Sequence, residues 1–345
     1  MLDDLTLIHH RDTQDMLGAV ARQTRQLTER LILPTMSLSV SSEARNIVFV
    51  GVGCSALAGH MASSLMPTSV PLTVVQEYDL PHYVGPETLC IMASYSGNTE
   101  EVLSALDQAL KRRARIVVIS HGGRLKELAQ QASVPFVQLP SVAQPRLATW
   151  LVVNATMNCI KQYGLGEGDD TVLDREQSWL AERAVTWAPD VSTSKNEAKR
   201  IAQELLAKSI VVGSGPRLWP AAQAWKLVIN ENAQQVAWTS QYPEASHHEL
   251  AGWTRQPVHK PYALVELRSS LEHPQVQKRL ALAERILSGL RPAPIVVDVQ
   301  GETLARQLLY ATTLGNFVSV YLALLGGIDP SATQVINKIK EGARQ

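Results

Sequence analysis

Ser94-Tyr95-Ser96-Gly97-Asn98-Thr99-Glu100-Glu101 is the stretch whose reading decides the fold. Before it stands an apolar run, Leu89, Cys90, Ile91, Met92 and Ala93, of the length of a strand buried on both faces. After it, Val102, Leu103, Leu106 and Leu110 recur at helical spacing. A helix start leaves backbone N–H groups free and carries partial positive charge, so an anion is welcome there. Ser94, Ser96 and Thr99 add donors without adding net charge. Ser, Thr and Asn also open helices as plain caps. Three hydroxyls around a glycine, directly after a buried strand, exceed what a cap needs, and the stretch reads as a phosphate cradle.

Working outward, the same grammar repeats. Asn46 to Val50 is a buried strand that runs into Gly51-Val52-Gly53-Cys54-Ser55, a glycine turn opening a helix. A lone GxG turn fits a dinucleotide site as well as a tight turn. The next strand, Leu72 to Val75, has no acidic residue placed for a ribose, Glu77 being the nearest, so the dinucleotide reading falls behind. Strands follow at 88–93, 115–119 and 135–139, and Pro145-Arg146 opens a helix to about Cys159. Strand–helix alternation predicts an α/β protein with parallel, doubly wound sheets, three layers deep. Residues 164–170 read as a linker, which divides the chain into 1–163 and 173–345. In the second part, a strand at 209–212, the turn Gly213-Ser214-Gly215 and a helix from Pro216 echo the first, and strands recur at 262–267 and 294–299. An internal repeat is expected, with only the first half equipped for phosphate. Helices are expected over 10–31, 303–325 and 331–343, and a loop from Pro34 to Ala44.

At 345 residues the chain is long enough for two domains, and 45% apolar with 19% charged residues is a globular composition. Lys+Arg and Asp+Glu both number 32, a balance that disfavours a nucleic-acid partner but not a small anionic ligand. The three cysteines, Cys54, Cys90 and Cys159, form neither a CxxC nor a paired framework, and no metal pattern is present. No charge interrupts Gln307 to Ile328, yet Gln307, Tyr310, Thr312, Thr313, Asn316 and Ser319 lie in it, which points to a buried core helix rather than a membrane span. With no signal-peptide pattern at the start, a reducing, cytoplasmic enzyme without metal or cofactor is expected.

Two segments of the second half carry groups suited to proton transfer near neutral pH: Asn230-Glu231-Asn232-Ala233 at a helix end, and Pro243-Glu244-Ala245-Ser246-His247-His248-Glu249 after a short strand. An aldose–ketose isomerase needs a base, a group that opens the ring and a cation near the enediolate oxygen. Arg146 is a cation at a helix start, the end where a cation is electrostatically misplaced, which favours a functional reading of it.

Ser94–Glu101 resembles the phosphate loop of sugar isomerase (SIS) domains. The ordered series Gly51-x-Gly53-x-Ser55-Ala56-x-Ala58-Gly59, Ser94–Glu101, Pro145-Arg146, Asn230–Ala233, Pro243-Glu244-x-x-His247-x-Glu249 and Asp329-Pro330 followed by Lys340 resembles the bifunctional phosphoglucose/phosphomannose isomerase family. That resemblance implies two SIS-type subdomains and interconversion of glucose 6-phosphate or mannose 6-phosphate with fructose 6-phosphate. It implies Gly53, Ser55, Ser94, Ser96 and Thr99 on the phosphate, and Glu231 as the base between C1 and C2. Arg146 would then stand at the enediolate, with His247 and Lys340 in ring opening and Thr333 as the small residue that leaves room for C2–C3 rotation. It further implies a homodimer with the active site at the subunit interface, His247 crossing from the partner. His248 stays open as the alternative to His247, and a sugar-phosphate-binding regulator or an isomerase or deglycase of another phosphosugar as alternative functions. Two positions depart from the family pattern: Cys54 replaces the second glycine of Gly-Gly-Ser, and Gly315-Asn316 stands for Gly-Asp.

Overall fold

A computed structural model of the chain describes residues 1–34, 44–169, 171–255 and 261–342. Apart from its ends, the loop expected from Pro34 to Ala44 lies outside the described residues. The chain divides into two compact units, one of Arg22–Ser178 and the other of Met1–Ala21 with Trp179–Gln345.

The helix expected over 10–31 is broken. It appears as α1 (Leu5–Arg11), α2 (Met16–Arg22) and a 3-10 turn, Gln23–Thr28. Asp12 ends the first and starts the second: its N–H closes α1 onto Ile8 O, while its carboxylate accepts from Met16 N at 2.7 Å and Leu17 N at 2.9 Å. An aspartate able to satisfy two free amides outcompetes continuation of the helix.

The Arg22–Ser178 unit is built on five parallel strands, β1 (Asn46–Val50), β2 (Leu72–Val75), β3 (Thr88–Ala93), β4 (Arg115–Ser120) and β5 (Phe136–Gln138), in the order β2-β1-β3-β4-β5. Helices α3 (Cys54–Leu65), α4 (Glu100–Lys111), α5 (Gly123–Gln131) and α6 (Thr149–Gln162) cover it. Ile47 to Val50 and Leu89 to Ala93 are fully buried, as central parallel strands must be when helices pack on both faces. Val102, Ala105, Leu106 and Ala109 of α4 and Leu125 and Ala129 of α5 close over Val48, Val50, Cys90 and Met92. The expected linker at 164–170 is partly held to this unit, since Ser69 N donates to Leu165 O and Glu167 N to Pro67 O.

The other unit carries β6 (Ser209–Ser214), β7 (Ala237–Gln241), β8 (Tyr262–Arg268) and β9 (Ile295–Asp298), parallel and in the order β7-β6-β8-β9. That order repeats the first four positions of the other sheet, as the internal echo in the sequence predicts. Its helices are α7 (Gln177–Val185), α8 (Glu197–Leu205), α9 (Trp219–Asn232), α10 (Glu249–Trp253), α11 (Pro274–Ile286), α12 (Leu304–Leu325) and α13 (Gln334–Gly342). Helix α12 is long and apolar enough to cross a bilayer, but 94% of its most apolar window is buried, against α8 and α9 among others. It is a core helix. The first residues belong here and not with the first sheet. Lys199, fully buried, donates to Pro189 O, Val191 O and Asp3 Oδ1 at 2.8, 2.7 and 3.1 Å, and Arg11 donates to Leu324 O. A buried ammonium needs such acceptors, and the chain start supplies one of them.

Candidate active site

In the five-stranded sheet β1 continues to β2 on one side and β3 starts on the other, so the winding reverses between β1 and β3. Crevices outside the carboxyl ends of strands at such a reversal are where open α/β sheets bind ligands. Both glycine-bearing loops leave the sheet there: β1 runs into Gly51–Ser55 and β3 into Ser94–Thr99.

In the first loop Gly53 takes φ 59° and ψ −125°, a conformation that disfavours side chains, and the helix starts at the next residue. Cys54 is that first helical residue and has no positive φ. The departure from the family pattern therefore imposes no backbone strain. Ser55 is 8% exposed in the first turn of α3.

The second loop shows why a plain cap is an insufficient account of its hydroxyls. Thr99 stands at the cap position of α4, yet its side chain makes no capping bond. Its Oγ1 lies 2.7 Å from Ser94 Oγ, which in turn lies 3.4 Å from Ser96 Oγ. Gly97 N donates to Ser94 Oγ at 3.2 Å and Asn98 N to Ser96 Oγ at 3.3 Å. Three hydroxyls and two amides thus converge on one turn, with Ser94 buried and Ser96 exposed. The tightness rests on Gly97, at φ 70°: a Cβ there would lie 1.7 Å from Gly122 O. Gly97→Ala must move the β4–α5 turn or the loop. A strained left-handed backbone alone costs about 1–3 kcal/mol, so the variant is expected to melt several degrees lower and to bind inorganic phosphate more weakly. Unaltered melting and binding would show that the close approach is unimportant.

Tyr95 ties this loop to the segment that carries Arg146. Its ring stacks on His121 at 5.3 Å, its hydroxyl donates to Pro140 O at 3.2 Å, and it accepts from Val142 N at 2.8 Å. A few residues on, Arg146 sits in the 3-10 turn Pro145–Leu147, which packs against α3. Arg146 is only 5% exposed, so it is not the solvated helix-end residue that a surface reading required. The Gly53–Ser55 turn, the hydroxyl loop and the Arg146 turn all belong to one unit. Nothing in the sequence signals the Tyr95 bridge, because the tyrosine's partners lie 45 and 47 positions away.

The remaining candidates stand in the other unit. Glu231 is half-buried in the last turn of α9, beside Asn232, whose buried amide donates to Ser319 Oγ at 2.8 Å. Asn230 Nδ2 donates to Ala237 O at 3.0 Å, which places this helix end at the amino-terminal end of β7. His247 is exposed in the turn Glu244–His247 that follows the other end of β7. Five strand residues span about 16 Å at ~3.3 Å each. The structure does not bring Glu231 and His247 together within this unit. His248 is held by Glu244 Oε1 at 3.1 Å, whereas the His247 side chain makes no hydrogen bond among the described residues, which favours His247 as the histidine open to a substrate. Thr333 is half-buried one residue before α13 begins. Lys340 lies within α13.

Burial pushes the Cys90 and Cys159 thiols up to about 12, as suits inert core residues. Among the described residues no cluster of three or more His, Cys, Asp or Glu is arranged to hold a metal ion.

Two family models match the chain: the SIS domain over residues 42–162 and the bacterial phospho-glucose isomerase C-terminal SIS domain over 194–342. The bifunctional phosphoglucose/phosphomannose isomerase of Aquifex aeolicus is 30% identical over 300 residues, 86% of this chain and 90% of its own length. The chain belongs to that family. Among its relatives, the D-glucosamine-6-phosphate 4-epimerase of Sulfolobus acidocaldarius is 30% identical over 219 residues, 62% of this chain and 65% of its own. The crystal structure of a glucose-6-phosphate isomerase-like protein from Thermus thermophilus superimposes with a TM-score of 0.67 at 20% identity, covering 99% of this chain and 98% of that one. This likeness bears on the fold: two SIS domains, each a parallel sheet between helices.

Proposed function

We propose that the protein interconverts glucose 6-phosphate and mannose 6-phosphate with fructose 6-phosphate through a cis-enediol. The observation that supports the chemistry is the burial of Arg146 in a turn packed against α3, the helix that the Gly53 turn opens, in the same unit as the hydroxyl loop. A phosphate-sensing module needs only the phosphate loop, whereas this chain carries Glu231, Arg146 and His247 as well.

Ser94, Ser96, Thr99, Ser55 and the Gly53 turn hold the phosphate of the open-chain sugar. Glu231 takes the proton from C2 of the aldose and returns it to C1, and Arg146 balances the charge that gathers on the enediolate oxygen. His247 and Lys340 move the protons of ring opening, and Thr333, being small, leaves room for the C2–C3 bond to turn. The placement of Glu231 and His247 at opposite ends of β7 supports a homodimer in which His247 serves the partner subunit's site. Three cysteines kept as thiols fit action in a reducing compartment such as the cytoplasm.

A coupled assay offering glucose 6-phosphate, mannose 6-phosphate and glucosamine 6-phosphate to the purified protein tests the assignment. Turnover of the first two to fructose 6-phosphate is expected. Consumption of the amino sugar alone would transfer the chain to the chemistry named for its 4-epimerase relative. For the phosphate site, Ser96→Ala removes a donor to a charged group, worth about 1.5–3 kcal/mol. KM for both aldose phosphates should rise by at least about tenfold, with inorganic phosphate becoming a correspondingly poorer competitor. Constant KM would place the phosphate elsewhere.

A further inference from the structure

The second sheet has the same winding reversal as the first, between β6 and β8. At its carboxyl edge β6 turns through Gly215-Pro216-Arg217 toward α9, and β8 leaves through Ser269-Ser270-Leu271-Glu272. The loop after β8 is built like the hydroxyl loop after β3. Ser269 Oγ accepts Leu271 N at 3.0 Å, two residues on, as Ser96 Oγ accepts Asn98 N. The serines of this loop are otherwise engaged by Gln307, whose Oε1 accepts from Ser269 and whose Nε2 donates to Ser270 Oγ at 2.9 Å.

The two crevices differ in what fills them. Glu272, 6% exposed, folds its side chain back between the two loops. Its Oε2 accepts the Arg217 amide of one loop at 3.0 Å, and its Oε1 accepts the His273 amide of the other at 3.0 Å. The carboxylate presses so close to the first turn that a Cβ on Gly215 would lie 2.2 Å from Oε2. Amides from two strand-end loops converging on a buried anion at a winding reversal form the arrangement that open α/β sheets use for phosphate.

We propose that Glu272 is a built-in anion ligand. Its carboxylate fills, in the second sheet, the crevice that corresponds to the phosphate cradle of the first, so the chain carries one open anion site and one closed copy of it. The correspondence rests on reading Ser94–Thr99 as the phosphate cradle, while the amide contacts to Glu272 stand independently of that reading. Removing the side chain should therefore open a second site for a tetrahedral oxyanion.

Isothermal titration of inorganic phosphate into wild type and Glu272→Ala, at constant ionic strength, counts the sites. Wild type is expected to bind one phosphate per chain and Glu272→Ala one more, with the variant's melting temperature raised by phosphate and not by chloride. In Glu272→Gln the amide still fills the crevice, and no site should be gained. A folded Glu272→Ala protein with no added site overturns the proposal. So does an alanine variant that folds neither in chloride nor in phosphate, because the free anion is expected to replace the side chain. If wild type binds none while Glu272→Ala gains one, the cradle reading of Ser94–Thr99 fails and the inference about Glu272 survives.

Discussion

Glu231→Gln is expected to lower turnover of glucose 6-phosphate and mannose 6-phosphate together, by about 10²–10⁴-fold, the usual contribution of a positioned general base. The substitution keeps the shape of the side chain and its place in the last turn of α9, and removes the proton acceptor. Both aldoses collapse to one cis-enediol once the C2–C3 bond has turned, so a single carboxylate serves both. Phosphosugar binding should persist, since the hydroxyl loop leaves a different sheet. Deuterium at C2 should slow either reaction and appear partly at C1 of fructose 6-phosphate and partly in solvent. Loss of one activity with retention of the other would mean two bases. Loss of binding together with turnover would make Glu231 a structural residue.

Arg146→Gln is the companion experiment, expected to cost about 10²–10³-fold in kcat, the effect of deleting one preorganised group at a developing oxyanion. Because the guanidinium is buried, the charge acts where solvent screens it little. KM should change far less than kcat, as the phosphate contacts stay in place. Arg146→Lys should recover only part of the loss, since an ammonium lacks the planar fork of donors. A variant that melts normally and keeps its kcat would remove Arg146 from the chemistry.

The strands were legible because period and burial agree in them. Leu89–Ala93 and Asn46–Val50 are unbroken apolar runs, and each is a central strand with helices on both sides. The hydroxyl loop was legible because three oxygen donors cluster within six residues. Other features were not, each for a stated physical reason. The break in the helix expected over 10–31 depends on where the Asp12 carboxylate points, which apolar spacing does not encode. In the second half Ser269-Ser270 follows β8; without a glycine and a helical start immediately after it, the likeness to the first half's loop is hidden in the sequence. The grouping of the first residues with the later sheet involves Lys199, which the fold buries completely against Asp3, a pairing 196 positions apart that no local pattern signals. The separation of Glu231 from His247 by the length of β7 likewise follows from topology, which their 16-residue spacing does not encode.

The Asp3–Lys199 contact joins residues 196 positions apart, and it gives the two units different histories on the ribosome. Arg22–Ser178 is one continuous segment, and chains fold such segments as they emerge, at about 5–20 residues per second. The other unit is interrupted by it. Its opening residues leave the exit tunnel early and must wait while the whole intervening segment is made before Lys199 exists to receive them. Ile8, Met16, Leu17 and Val20, all buried in the finished fold, are uncovered through that interval. These apolar residues are thus synthesised well before the partners that bury them.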